Sequence, residues 1–79
     1  MPKVYDEHGW QILIWLPPRE HGPPHCHVFK NGQKMKVSLQ SLEVIEATRG
    51  WKTTDYRAAV RLVEDQITHL RQQWEAIHG

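Results

Sequence analysis

The stretch "HCHVFKNGQKMKVS", residues 25–38, decides the fold of this 79-residue chain. Its central Asn31-Gly32 predicts a two-residue hairpin loop, because a type I′ turn requires positive φ at both central positions. A loop of this length fixes the strand register, beginning with Lys30 opposite Gln33 and continuing outward residue by residue. The sequence therefore predicts an antiparallel hairpin with a defined pairing.

That register gives the predicted hairpin two different faces, since side chains alternate along a strand. The apolar face, which suits a protein core, carries Cys26, Val28, Met35, Val37 and, just beyond the hairpin, Leu39. The other face carries His25, His27, Phe29, Lys34, Lys36 and Ser38. The polar candidates for function thus lie together on one surface.

A second hairpin is predicted near the N-terminus, where residues 3–5 and 10–16 flank the turn-rich residues 6–9. The second of these strands is apolar on both faces, which indicates a central strand covered on one side by a helix. Leu13 and Trp15 lie on its other face. Because one helix cannot cover both faces, we expect loops, a homodimer contact or a partner protein to cover these two side chains.

The C-terminal third predicts one long amphipathic helix over residues 55–77, with Thr53 or Thr54 as its N-cap. Apolar side chains recur there at alternating spacings of four and three, at Tyr56, Val60, Val63, Ile67, Leu70, Trp74 and Ile77. Residues 41–51 fit either a strand or a short helix. The expected fold is α+β, an antiparallel sheet of about four strands packed on one long C-terminal helix.

Length and composition indicate a single domain spanning residues 1–79. Cys26 is the one cysteine, so it cannot form a disulfide within the chain, and its apolar face makes it a core residue rather than a nucleophile. No secretory leader is recognisable, and the longest apolar run, residues 12–16, is too short to cross a bilayer. We therefore expect a cytoplasmic protein without a membrane span.

Positive charge is concentrated in residues 19–36, although the formal net charge of the chain is only +1. The basic side chains in this segment are Arg19, Lys30, Lys34 and Lys36, and the acidic one is Glu20. An anionic partner could bind here, but such an excess is as often a solvated surface.

The His25-x-His27 pair admits a metal site, with His21 or Glu20 as a third ligand. The predicted register opposes it, because Lys36 lies directly across from His27 and an ammonium group repels a divalent cation. We therefore expect no metal and no other cofactor.

The same pair could transfer protons, with His25 and His27 as the acid and base of a phosphodiester reaction. Side chains that could bind an RNA backbone or base beside them are Arg19, His21, Phe29, Lys34, Lys36 and Ser38. In the third interpretation the histidines only bond to loop carbonyls and the lysines protect a sheet edge. Whether the protein is an enzyme stays open at this point.

The segment "REHGPPHCHV", residues 19–28, the Asn31-Gly32 hairpin and the helix ending in "WEAIH", residues 74–78, together resemble a bacterial family. This is the family of domain of unknown function 4160, also called DhiT-like, and the similarity covers nearly the whole chain. The resemblance implies the toxin-type component of a proposed two-gene toxin–antitoxin module, with a small antitoxin-type protein as partner. It assigns no catalytic residues.

Residues and resemblance together favour a toxin component whose basic His-x-His face acts on RNA or on the translation apparatus. The alternative is a non-enzymatic protein-interaction module in which the histidines are structural. Solvent access distinguishes the two. Open imidazoles beside Lys36 would favour RNA, whereas buried imidazoles bonded to backbone would favour the interaction module.

Overall fold

The computed structural model describes residues 3–14 and 23–78. Within them the chain forms, in order, β1 (Lys3–Glu7), β2 (Trp10–Leu13), β3 (His25–Lys30), β4 (Gln33–Ser38), β5 (Val44–Ala47), α1 (Thr53–Asp65) and α2 (Ile67–His78). The strands form one antiparallel sheet in chain order. The α+β class is confirmed, but five strands replace the expected four, and two helices replace the single long one.

Two tight turns of the same kind organise the sheet. His8 and Gly9 have φ values of 54° and 81°, and the dipeptide Asn31-Gly32 has 50° and 79°, as a type I′ turn requires. The ammonium group of Lys30 donates to the carbonyl of His8 at 3.1 Å, so the two turns are tied together. The predicted register of the second hairpin is confirmed at all six pairs, from Lys30 opposite Gln33 to the far end of the ladder.

Residues 41–51, which fit a strand or a helix, contain strand β5. It pairs with β4 through a bulge, because Glu46 lies opposite Lys36 while Val44 lies opposite Val37. Ile45 is the extra residue between them, and 49% of its surface is exposed. The bulge breaks the strict alternation of a strand, which is why the sequence pattern was ambiguous.

The predicted single helix is interrupted at Gln66, where φ is −100° and ψ is 11°. Hydrogen bonds of the helical type continue on both sides, since the Gln66 N–H donates to Leu62 at 3.0 Å and the Leu70 N–H donates to Gln66 at 2.9 Å. The apolar stripe therefore stays in phase across the break. The predicted threonine cap is wrong, because α1 begins at Thr53 and its N-cap, Lys52, forms no side-chain cap bond.

The hydrophobic core lies between the apolar face of the sheet and the helices. Its fully buried side chains among the described residues are Ile12, Ile14, Cys26, Val28, Met35, Val37, Leu39, Ala59, Val63 and Leu70. All five residues predicted for the apolar hairpin face are among them. Tyr56, expected on the helix stripe, is instead 38% exposed.

Helix α2 is tied to the sheet by two polar contacts. The Nε of Arg71 donates to the carbonyl of Leu39 at 2.8 Å, and the Nε2 of His69 lies 3.2 Å from the carbonyl of Val4. Leu13, which we expected loops, a homodimer contact or a partner protein to cover, is only 6% exposed in the single chain, so it gives no reason for a dimer. Trp15 lies outside the described residues.

None of the helices within residues 3–14 and 23–78 has both the length and the apolar character needed to span a membrane.

Candidate functional site

The polar face of the central hairpin, extended by the neighbouring strands, forms a surface that we call the histidine face. Residues paired across an antiparallel sheet point to the same side, so the ladder arranges this face in rows. One row runs Gln11, Phe29, Lys34 across β2, β3 and β4. The next row runs Leu13, His27, Lys36, Glu46 across β2 to β5.

A polar pocket of about 430 Å³ opens on this face. It is lined by His27, Lys34, Lys36, Glu46, Ala47 and Thr48. Lys34 is exposed and Lys36 is half-buried, so both ammonium groups can reach a ligand while keeping part of their hydration. The two lysines outnumber the single carboxylate, which makes the pocket suited to an anion.

Thr48 holds the backbone of Lys34 in place. The N–H of Lys34 donates to the Thr48 hydroxyl at 2.9 Å, and the N–H of Thr48 donates back to the Lys34 carbonyl at 2.9 Å. The indole N–H of Trp51 donates to the same carbonyl at 3.2 Å. The backbone of Lys34, from which its side chain extends, is therefore fixed, although its ammonium group stays in solvent.

His25 is positioned by protein contacts on two sides. It is 3% exposed, and its Nδ1 lies 3.0 Å from the carbonyl of Pro23. Since a carbonyl oxygen only accepts, Nδ1 must carry the proton in that bond. The imidazole also lies 5.3 Å from the Trp74 ring, between centroids. These contacts match the structural interpretation of His25.

His27 differs from His25 because it lines the polar pocket. It is 7% exposed, and its ring packs edge-on against His25 with a centroid separation of 5.4 Å. Burial alone would favour the interaction module, yet the pocket position keeps His27 beside Lys36. The two histidines, which the sequence treated as a pair, therefore have different surroundings even though their rings are in contact.

Ser38 serves the turn that follows β4. Its hydroxyl accepts the N–H groups of Gln40 at 3.1 Å and Ser41 at 3.2 Å. The N–H of Leu42 donates to the Ser38 carbonyl at 3.1 Å, closing the turn toward β5. These bonds engage Ser38 with backbone, and it does not line the polar pocket.

The remaining basic candidates are dispersed. Arg19 and His21 lie outside the described residues. Lys30 is turned away from the polar pocket, because its Nζ lies 4.9 Å from the centroid of the Trp10 ring while bonded to His8. On the described part of the histidine face, the positive charge comes from Lys34 and Lys36 near the pocket.

Cys26 behaves as a core residue, as predicted. Its side chain is fully buried, and burial raises the pKa of its thiol to about 12. A thiol with this pKa is almost entirely protonated at neutral pH and is a poor nucleophile. Within residues 3–14 and 23–78, no three His, Cys, Asp or Glu side chains cluster as metal ligands would.

The family model for the domain of unknown function DUF4160 matches residues 9–75. The chain belongs to this family. No curated protein and no solved structure matches it. The matched segment of this DUF4160 chain contains the whole polar pocket, from His27 to Thr48, so the pocket lies within the part of the chain that defines membership.

Three polar residues near the candidate site of this DUF4160 chain were missed by sequence reasoning. Glu46 lies in β5 and Thr48 directly follows it, so their positions depend on residues 44–47 being a strand. Gln11 reaches the face through the pairing of β2 with β3, opposite Phe29. Its position in an alternating strand was a usable signal, because the residues flanking it are apolar.

Proposed function

We propose that this DUF4160 protein is a cytoplasmic toxin-type component of a two-gene toxin–antitoxin module, and that it binds RNA through the polar pocket. The observation that carries the proposal is the convergence of Lys34, Lys36, His27 and Thr48 on one pocket of the histidine face. A small antitoxin-type protein is the proposed partner. The toxin role itself comes from the resemblance carried by residues 19–28, the Asn31-Gly32 hairpin and residues 74–78.

Electrostatics support RNA phosphate as the ligand. Lys34 and Lys36 are on the same strand two residues apart, so their side chains leave the same face with roots about 7 Å apart. Each ammonium group can form charge-assisted bonds with phosphate oxygens. Glu46 lies opposite Lys36 and lowers the local positive potential, which makes the expected binding moderate rather than tight.

For a chemical step on the bound RNA, we propose His27 as the residue that takes part. It lines the pocket beside the lysines, whereas His25 packs against Trp74 and bonds to the Pro23 carbonyl. The proposal therefore assigns phosphate binding to Lys34 and Lys36, proton transfer to His27, and positioning of His27 to His25 through their ring contact. The proposal does not treat His25 and His27 as an equivalent acid–base pair.

The test is expression of the protein in bacteria while growth and RNA integrity are followed. We expect growth arrest with the parent protein and loss of arrest with Lys34→Ala/Lys36→Ala. Lys52→Ala/Arg57→Ala is the matched control, since it also removes two positive charges but from exposed positions at the start of α1. Equal arrest by all three proteins, each confirmed as folded, would contradict the proposed pocket.

The second candidate function is a non-enzymatic protein-interaction module. It is favoured by the low exposure of His25 and His27, 3% and 7%, and by Ile45, an exposed apolar side chain on the edge strand β5. An exposed edge can pair with an extended segment of another protein. Ile45→Lys should then abolish capture of a protein partner, and Lys34→Ala/Lys36→Ala should leave capture unchanged.

A further inference from the structure

We infer that the RNA bound by this protein is single-stranded, with one unpaired base stacked on Phe29 and its polar edge contacted by Gln11. This inference rests on the proposed function and names the form of RNA that the histidine face accepts. It uses a second concave site, separate from the polar pocket, that the phosphate contacts do not need.

The sheet register supplies the arrangement. Gln11, Phe29 and Lys34 are consecutive partners on three adjacent strands, so their side chains leave the same face in one line. Adjacent strands lie about 4.8 Å apart, which places an amide, an aromatic ring and an ammonium group across roughly 10 Å. A nucleotide presents its groups in the same order, namely the polar base edge, the flat base and the phosphate.

A second pocket, of about 320 Å³, accommodates the base. Gln11 and Phe29 line it, and the two type I′ turns close it through Gly9 and the dipeptide Asn31-Gly32. A Cβ atom built on Gly32 would meet nothing within 4 Å, so the turn leaves open space at this side. Phe29 borders this pocket while its cross-strand partner Lys34 borders the polar pocket, so the two sites are neighbours.

The chemistry of this row excludes paired RNA as the preferred ligand. In an A-form duplex the bases are stacked on one another, and the deep major groove does not admit side chains. A base can stack on Phe29 only when it is unpaired, and an amide such as that of Gln11 can both donate to and accept from the exposed base edge. The neighbouring Lys34 would bind the phosphate of the same nucleotide.

The experiment compares three RNAs of equal length on the purified protein, namely a single-stranded oligonucleotide, its duplex and an abasic strand with the same phosphates. Since the abasic strand keeps the phosphates but lacks the stacked base, we expect the single strand to bind about tenfold more tightly than the abasic strand. Phe29→Leu should remove this preference, whereas Phe29→Tyr, which keeps the ring, should retain it.

Because Phe29 is half-buried, thermal melting must first establish that each variant folds. Gln11→Ala is the second variant, because it removes the amide that contacts the base edge. The abasic comparison uses the parent protein and needs no substitution. Equal affinity for the single strand and the abasic strand would overturn the base site while leaving phosphate binding by Lys34 and Lys36 intact. Failure of all three RNAs to bind would overturn the proposed function and this inference together.

Discussion

Lys36 lies directly opposite His27 in the β3–β4 ladder, and both side chains line the polar pocket. A divalent cation on His27 would therefore have an ammonium group as a near neighbour, which raises its electrostatic energy. The Nδ1 of His25 donates to the carbonyl of Pro23, so that nitrogen is engaged and is not a potential ligand atom. The pairing thus favours anions over metal ions.

From this relationship we expect no tight stoichiometric zinc binding at neutral pH. Isothermal titration calorimetry of the purified protein should show at most weak heats that are unchanged in His25→Ala and His27→Ala. Replacing Lys36 with Ala removes the repelling charge and should strengthen zinc binding relative to the parent protein. Tight one-to-one binding to the parent protein that is lost in either histidine variant would contradict the expectation.

Glu46 gives a prediction of tighter binding, because removing its negative charge should raise the affinity of the polar pocket for RNA phosphate. Glu46 is the cross-strand partner of Lys36, so its carboxylate lowers the positive potential that phosphate would meet there. Opposite charges that face each other at a partly exposed surface interact by roughly 0.2–1 kcal/mol at most, so Glu46→Gln should tighten RNA binding by up to about fivefold. Glu64→Gln, an exposed carboxylate on α1, is the control and should change affinity little. Weaker binding by Glu46→Gln would mean that phosphate does not occupy this pocket.

The buried thiol of Cys26 makes folding stability depend on alkaline pH. Burial raises the pKa of Cys26 in the folded protein to about 12, from an ordinary 9.0. Between these values the unfolded chain has lost a proton that the folded chain keeps, so stability is fully present below pH 9 and falls as pH rises toward 12. The slope approaches about 1.4 kcal/mol per pH unit.

Denaturant unfolding measured from pH 8 to 11 on the parent protein and on Cys26→Ala isolates this effect, because the substitution removes only the thiol and leaves every other ionisable group in place. The parent should lose stability more steeply with rising pH. Parallel curves for the two proteins would show that Cys26 ionises equally in both states. A thiol reagent should likewise label Cys26 at neutral pH only after unfolding.

Leu70 on α2 is fully buried in the core, and its truncation tests the packing of the second helix. Leu70→Ala should lower the free energy of unfolding by roughly 2–5 kcal/mol, which is a large fraction of the stability of a small domain. Ile45→Ala is the matched control, since it also shortens an aliphatic side chain but at a half-exposed position. If the two variants melt at the same temperature, α2 does not pack on the sheet as described.

The central hairpin could be predicted in detail because one local interaction determines it. Asn31-Gly32 sets the turn, the turn sets the register, and the register alone separates the buried Cys26, Val28 and Met35 from the histidine face. The contacts of the side chains on that face could not be predicted in the same detail. Side-chain alternation says which residues share a surface, but it does not say that His25 bonds to Pro23 while His27 lines a pocket.

Strand β5 could not be distinguished from a helix, and the helix break could not be predicted, for two different physical reasons. The bulge at Ile45 places Val44 and Ala47, three residues apart, opposite core residues of β4, and a spacing of three suits a helix as well as a bulged strand. At Gln66 no glycine or proline marks the interruption. The apolar periodicity runs through it from Val63 to Leu70, so no local signal was available.

The most direct test of RNA binding through the polar pocket is the salt dependence of affinity for a single-stranded oligonucleotide. Each phosphate neutralised by a lysine contributes about 0.7 to the slope of log affinity against log salt concentration. We expect Lys34→Ala/Lys36→Ala to bind more weakly and to reduce this slope by roughly 1.4, while Lys52→Ala/Arg57→Ala keeps the parent slope. An unchanged slope in folded Lys34→Ala/Lys36→Ala protein would contradict the pocket as the RNA site.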